Sequence, residues 1–254
     1  MSHTVGDVPC NKLVTVPAEA TLISAIETMF ENDYTQLGIE RGDEIVGMVS
    51  YRSISRVLSI LRKMGADKNL PGRQVGIAIE EISPVVEPDE DLIVLFDLLS
   101  ESPYVIVQNE ESQLDILTNY DLLQYLQNSI EPFLLIEDVE RSVRDLIRHA
   151  FPENLDETLQ EFFDEKDIRT PADITDCSFG HYPQFMCQNW SQFDVYFEEN
   201  GDFIRRLLSE VGDIRNKIFH FRSDSYDSEL EEELLIFAHG YFQRRLPDAD
   251  MKSS

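Results

Sequence analysis

The chain has 254 residues, 42% of them hydrophobic and including fifteen Phe and nine Tyr. That is enough for two buried cores and excludes bulk disorder. The formal net charge is −28, spread over both halves and not gathered in a tail. Such a surface repels nucleic acid unless salt screens it, to about 3 Å at 1 M, so a broad basic track for RNA or DNA is excluded.

Only six of the 21 basic residues are Lys. High acid with little Lys implies a protein kept soluble in high salt, as in a halophile. There is no apolar run of 18 residues and no basic-then-apolar leader, so a soluble cytoplasmic protein is expected, without a membrane partner. Cys10, Cys177 and Cys187 form no disulfide framework and read as free thiols. Cys177, His181 and Cys187 match no common metal-ligand spacing, so no metal site is expected.

In chain order, the first half repeats itself at an offset of about 68 to 71 residues. Lys12–Val16 before Pro17 answers Ser83–Val86 before Pro88; Leu22–Met29 answers Leu92–Leu99; Ile45–Ser50 answers Leu114–Thr118. Each copy, about 4–66 and 74–128, reads as strand, helix, two strands joined by an acidic turn, and a closing helix. The turns are Arg41-Gly42-Asp43 and Asn109-Glu110-Glu111, and Pro71-Gly72 separates the copies. This β-α-β-β-α pair resembles a tandem CBS (Bateman) module.

The resemblance implies two copies packed through their sheets, with clefts that bind adenosine compounds such as AMP, ATP or S-adenosylmethionine. The family hallmark is a strand ending in Gly, two apolar residues, Thr or Ser, and an Asp three residues later. The second copy reads Asp115-Ile-Leu-Thr118-Asn-Tyr-Asp121, with Asp115 where Gly is usual. The first reads Gly47-Met-Val-Ser50-Tyr-Arg-Ser53, with Ser53 in place of the Asp. The resemblance places Thr118, Asp121, Ser83 and Ser50 at the adenosine ligand. A carboxylate accepts two hydrogen bonds from a ribose diol better than a Ser does, so one nucleotide site, at the second copy, is expected. Thr118 and Asp121 can equally cap the helix that follows.

The second half, 129–247, reads as all helical, followed by a frayed tail at 248–254. A break at Glu131-Pro132 predicts a new helix over 132–150, with Arg141, Arg144 and Arg148 on a partly basic face. A short helix over 154–163 and an aromatic, irregular stretch over 179–197 follow. Asp202 is the expected cap of a helix over 203–221 whose apolar stripe is Leu207, Leu208, Val211, Ile214, Ile218 and Phe221. The last helix, about 228–246, opens on Ser228 and Glu231 as a capping box and turns Leu230, Leu234, Leu235, Phe237, Ala238 and Phe242 inward.

Asp213–Arg222 reads D-I-R-N-K-I-F-H-F-R. Arg215 and His220 lie within roughly 140° of each other on one helix, off the apolar stripe. The stretch resembles the R-x4-H signature of HEPN domains, here Arg215, Asn216 and His220. The resemblance implies an all-α bundle that pairs as a homodimer and, in active members, a metal-independent endoribonuclease needing no cofactor for catalysis. Arg is suited to clamp a phosphate and His to move protons; Lys217 and Arg222 add local positive charge. Many such domains bind or dimerise without cutting RNA. The fold expected is therefore α+β, a CBS pair followed by a HEPN-like bundle. Its function is either nucleotide-controlled RNA cleavage, with no DNA substrate, or non-catalytic ligand sensing by an interaction module.

Overall fold

A computed structural model describes residues 3–42, 44–66, 68, 72–109, 113–219 and 228–246. The chain divides into two compact units, 1–127 and 128–254.

Unit 1 is built twice on one plan. β2 (Thr15–Pro17), α1 (Leu22–Glu31), β3 (Gln36–Arg41), β4 (Glu44–Ser50) and α2 (Tyr51–Lys63) form the first half. β5 (Val85–Val86), α3 (Val94–Glu101), β6 (Tyr104–Gln108), β7 (Leu114–Thr118) and the opening of α4 (Asn119–Ala150) form the second. In each, the first strand lies parallel to the second and the second antiparallel to the third. Gly42 takes φ +68° in the β3–β4 turn, a conformation glycine adopts without steric cost. Each half buries its own core, around Leu22, Met29, Leu37, Ile39 and Ile54 in one and Leu95, Val105, Val107 and Leu117 in the other. A smaller cluster of Leu13, Met48, Tyr104 and Ile106 joins the two sheets.

The halves also exchange arms. Residues 3–12 pack on the second half: Val5 and Val8 enter its core, and β1 (Asn11–Lys12) pairs antiparallel with β7. Residues 79–82 do the same to the first half, where Glu80 pairs with Met48 through backbone bonds of 2.8 and 2.9 Å. Register makes the arms equivalent. Asn11 faces Ile116 as Glu80 faces Met48, so Cys10 corresponds to Ile79 and Lys12 to Glu81; the second arm then has one extra residue, and Leu13 and Val14 correspond to Ser83 and Pro84, Gly38 bonding to Val14 as Ile106 does to Pro84.

Unit 2 holds the rest of α4, then α5 (Leu155–Asp164), α6 (His181–Gln188), α7 (Gly201–Phe219) and α8 (Ser228–Gln243), with short 3₁₀ turns between α5 and α7. One core gathers Ile136, Val139, Val143 and Ile147 of α4 with Leu208, Val211 and Ile214 of α7 and Leu235, Ala238 and Phe242 of α8. The aromatic stretch fills its flank through Phe179, Tyr182, Phe185, Phe193 and Phe197.

Several expectations are corrected. Pro132 starts no new helix and lies inside α4, where a proline forfeits one backbone bond, here to residue 128. The cap of α7 is Asn200, whose Oδ1 accepts the Phe203 N–H at 3.0 Å, and Asp202 sits in the first turn beside Arg205. The basic face of α4 is neutralised by Arg141–Glu137, Arg144–Glu140 and Arg148–Asp145 pairs one turn apart. On α8, Leu230 and Phe237 are exposed, and Tyr241 is buried instead beside Leu235, Ala238 and Phe242.

Candidate functional site

The first candidate site is a cavity of about 640 Å³ in unit 1, formed where the first arm crosses β7. Its apolar floor is Leu13, Val14 and Ile116, and its rim carries Lys12, Tyr34 and Tyr120. Thr118 ends β7 and Asp121 stands in the first turn of α4, so the strand-to-helix junction delivers both to the cavity.

Asp121 is already engaged. Its Oδ2 accepts the Thr118 N–H at 2.8 Å and the Thr118 hydroxyl at 2.6 Å, and its Oδ1 accepts the Asn11 amide at 2.9 Å. The capping role is therefore filled. A carboxylate offers about four lone-pair sites, so about one remains on Asp121 for a ligand hydroxyl. The Thr118 oxygen keeps its acceptor capacity, because its proton is spent on Asp121. The site can thus take a diol divided between Asp121 and Thr118, with the α4 amides and Lys12 disposed toward an anion.

Ser50 and Ser83 line neither cavity described here. Ser50 caps α2: its Oγ accepts the Ser53 N–H at 3.1 Å, and the Ser53 Oγ accepts the Ser50 N–H at 3.0 Å. Ser83 is exposed, beside a cis bond to Pro84. By arm equivalence the two belong to the corresponding place in the first half. There Ser53 stands for Asp121, while Glu80 and Glu81 stand for Asn11 and Lys12.

Sequence reading missed Asn11 and Lys12. The repeat does not locate them by itself: its offset is 70 at Val16 and Val86 but 69 at the arms, a difference that only the strand register shows.

Gly47 and Asp115 explain each other through the arms. A Cβ on Gly47 would lie 2.3 Å from Ile79 Cγ2 and 2.7 Å from the Glu80 carbonyl oxygen. The equivalent of Ile79 in the second half is the smaller Cys10, and there an Asp fits. Burial, then Asp115 and Asp121, push the Cys10 thiol up to about 11.

The second candidate site is a cavity of about 510 Å³ in unit 2, between the start of α6 and one face of α7. Arg215 and Asn216 line it together with Arg205, Asp213, Ser178 and Gln184. The Arg215 guanidinium lies over the Phe219 ring at 4.9 Å, and its buried Nε has no partner among the described residues. His220 and Arg222 lie outside the described residues. Lys217 is bonded to Glu231, so its charge is locally balanced and adds little attraction for an anion. His181 accepts or donates at 3.0 Å with Ser178, and the Cys187 thiol donates to the Gly201 carbonyl at 3.3 Å. Among the described residues no cluster of His, Cys, Asp and Glu is arranged to hold a metal, and no helix is long and apolar enough to cross a membrane.

Residues 5–60 match the CBS domain. The matched CBS segment comprises the first half and the arm that it lends to the second. Among solved structures, the chain is similar to CBSX2 in complex with AMP, at 23% identity and a TM-score of 0.40, covering 48% of this chain and 94% of that one. It is similar to a conserved CBS domain protein of Thermoplasma acidophilum at 25% identity and a TM-score of 0.41, covering 49% and 70%. A CBS domain-containing protein of Bacillus anthracis matches at 17% identity and a TM-score of 0.42, covering 49% and 92%. No curated protein matches the chain.

Proposed function

We propose that unit 1 is a tandem CBS module that senses one adenosine compound per chain, at the cavity beside Thr118 and Asp121. The observation that carries this is the convergence of an apolar floor, a diol-accepting pair and a lysine in one cavity of about 640 Å³. The base lies on Leu13, Val14 and Ile116, the ribose is divided between Asp121 and Thr118, and an anionic group meets Lys12 and the start of α4. The equivalent place in the first half has a Ser for the Asp and a Glu for the Lys, which disfavours a phosphate there.

Titration calorimetry of the full chain in high salt tests this with AMP, ATP and S-adenosylmethionine in turn. One ligand per chain is expected, weakened at least about tenfold by Asp121→Ala. Because that change also uncaps α4, Lys12→Ala is the companion: it weakens AMP and ATP and spares adenosine. Unaltered affinity in both variants would sink the assignment.

A second reading concerns unit 2, as a HEPN-like effector under control of the CBS module. The observation in its favour is Arg215, placed with Asn216 on a cavity with its Nε–H unspent. In this reading Arg215 neutralises the charge that builds on phosphorus, Asn216 donates to a phosphate oxygen and His220 carries the proton. RNA cleavage that survives EDTA, is lost in His220→Ala and changes with the bound nucleotide is the expected result. Absence of cleavage in every condition leaves unit 2 as an interaction module.

A further inference from the structure

Arg205 and Arg215 both line the unit 2 cavity, and Arg205 has no part in the effector reading. The cavity runs along α7 where α6 crosses it in the opposite direction. At one end the Cys187 thiol donates to the Gly201 carbonyl, and at the other the Phe179 ring lies 3.3 Å from where a Cβ on Gly212 would stand. This register sets Ser178 near Asp213 and Asn216, and Gln184 near Arg205. Arg205, Ser209, Gly212 and Asn216 fall within roughly 60° of one another around α7, so they form one line along the helix.

The two guanidinium groups are placed too far apart to share one phosphate. Arg205 and Arg215 are ten residues apart, about 15 Å along the helix axis. Arg205 reaches back to Asp202 at 3.4 Å, and Arg215 reaches forward over the Phe219 ring at 4.9 Å, so the heads lean away from each other. Each end of the cavity therefore has its own cation, and each cation keeps capacity for an anion. The buried Arg215 Nε–H is unpartnered, and Arg215 forms no ion pair with a described residue. α6 begins at that end, and its dipole adds to the positive potential. At the other end the Arg205–Asp202 pair joins exposed side chains, a contact worth little that an incoming phosphate can replace. Gln184 keeps one amide N–H there after donating to the Gly180 carbonyl, and Lys166 stands behind it at 3.1 Å. Asp213 lies between the two cations along α7, where a carboxylate repels a phosphate and accepts a hydroxyl.

We propose that unit 2 holds a single strand of RNA along α7, with one phosphate at Arg215 and Asn216 and another, roughly two or three nucleotides away, at Arg205 and Gln184. This rests on the effector reading of unit 2 for the class of ligand, and it adds a second phosphate subsite and a minimum strand length. Asp213 accepts a ribose 2′-hydroxyl between the subsites, which selects RNA over DNA. A cavity of about 510 Å³ has room for one strand and none for a duplex. Two local grips also suit a chain of net charge −28, because each cation meets its phosphate at short range while salt screens the acids farther off.

Fluorescence anisotropy tests this on the full chain carrying His220→Ala, so that the ligand is not cut, with a uridylate dinucleotide and pentanucleotide. The pentanucleotide is expected to bind at least about tenfold more tightly than the dinucleotide. Arg205→Ala removes that gain, lowers the salt slope of pentanucleotide binding by about 0.7 and leaves the dinucleotide unaffected, while Arg205→Lys restores most of the gain. Arg215→Ala weakens both ligands. A DNA pentanucleotide binds at least about fivefold more weakly than RNA, a gap that Asp213→Asn narrows. Circular dichroism, unchanged in Arg205→Ala because that side chain is exposed, excludes misfolding as the cause of the loss. Absence of RNA binding, a length gain that survives Arg205→Ala, or DNA bound as tightly as RNA would each overturn the proposal. Cleavage by the wild-type chain is scored separately. A length gain that depends on Arg205, without cleavage, removes the effector reading and keeps the strand site; cleavage with no length gain keeps the effector and removes the second subsite.

Discussion

The two halves of unit 1 share a plan and differ at the residues where a ligand would sit. Both end their third strand on a hydroxyl residue that opens a helix, and both are crossed by an arm from elsewhere in the unit. In the second half the helix supplies Asp121, and the arm supplies Asn11 to hold it and Lys12 beside it. In the first half the helix supplies Ser53, buried and closed on Ser50, and the arm supplies Glu80 and Glu81. On the proposed reading, two exchanges, carboxylate to hydroxyl and cation to anion, would turn an anion-tolerant site into one that discourages phosphate. The difference lies in side chains mounted on a common backbone, so the site can be altered with little change to the fold.

The sharpest way to break this comparison is steric. Gly47→Ala drives a Cβ to 2.3 Å from Ile79 and 2.7 Å from backbone oxygen, which the arm cannot yield without leaving β4. A loss of about 3 kcal/mol is expected from urea denaturation, with Ile79→Cys in the same chain recovering part of it. At the equivalent position Asp115→Ala, opposite Lys12 and near Cys10, is expected to stay within about 0.5 kcal/mol of wild type. Equal losses at both positions would mean that the arms are not equivalent.

Much of this could be read in the sequence. The repeat, the order of elements and the candidate pair Thr118 and Asp121 all follow from local patterns: apolar periodicity, turn residues and motif spacing. The arms could not be read in this way, because β1 and residues 79–82 are too short to show a period and pair with strands about 100 and 30 residues away. Hence Gly47 and Asp115 looked like a family position kept and a family position lost, when each is matched to its own arm residue. In unit 2 the periodicity located α7 and its buried stripe. It missed the cap at Asn200 because Asn, Gly and Asp in a row all suit a helix start, and only the bond to Phe203 decides between them. Arg141, Arg144 and Arg148 looked like a basic face because they were read without Glu137, Glu140 and Asp145 three or four residues away, although that spacing already pairs them on a helix.

The next contrast is chemical. Lys12→Glu gives the second half the charge that Glu81 gives the first. AMP affinity is expected to fall about tenfold and adenosine affinity to change by less than about twofold, read by calorimetry on the full chain. A parallel fall for both ligands would place Lys12 on the base or ribose, and an unchanged AMP affinity would remove it from the site.

The finest contrast uses Cys10, the counterpart of Ile79. Its thiol is pushed up to about 11, first by burial and then by the negative charges of Asp115 and Asp121. Thiolate is the reactive form, so alkylation of Cys10 at pH 8 should be at least about a hundredfold slower than that of a free cysteine, rising about tenfold per pH unit toward pH 11. Removing a neighbouring negative charge lowers the pKa and increases the thiolate fraction. Asp115→Asn should therefore speed the reaction a few-fold at fixed pH, followed peptide by peptide so that Cys177 and Cys187 are counted separately. A nucleotide seated on Asp121 should slow Cys10 further, since it adds negative charge and covers the arm. Acceleration by ligand would mean that binding lifts the arm from β7, and the exchanged arms would then be the moving part of the sensor instead of its fixed wall.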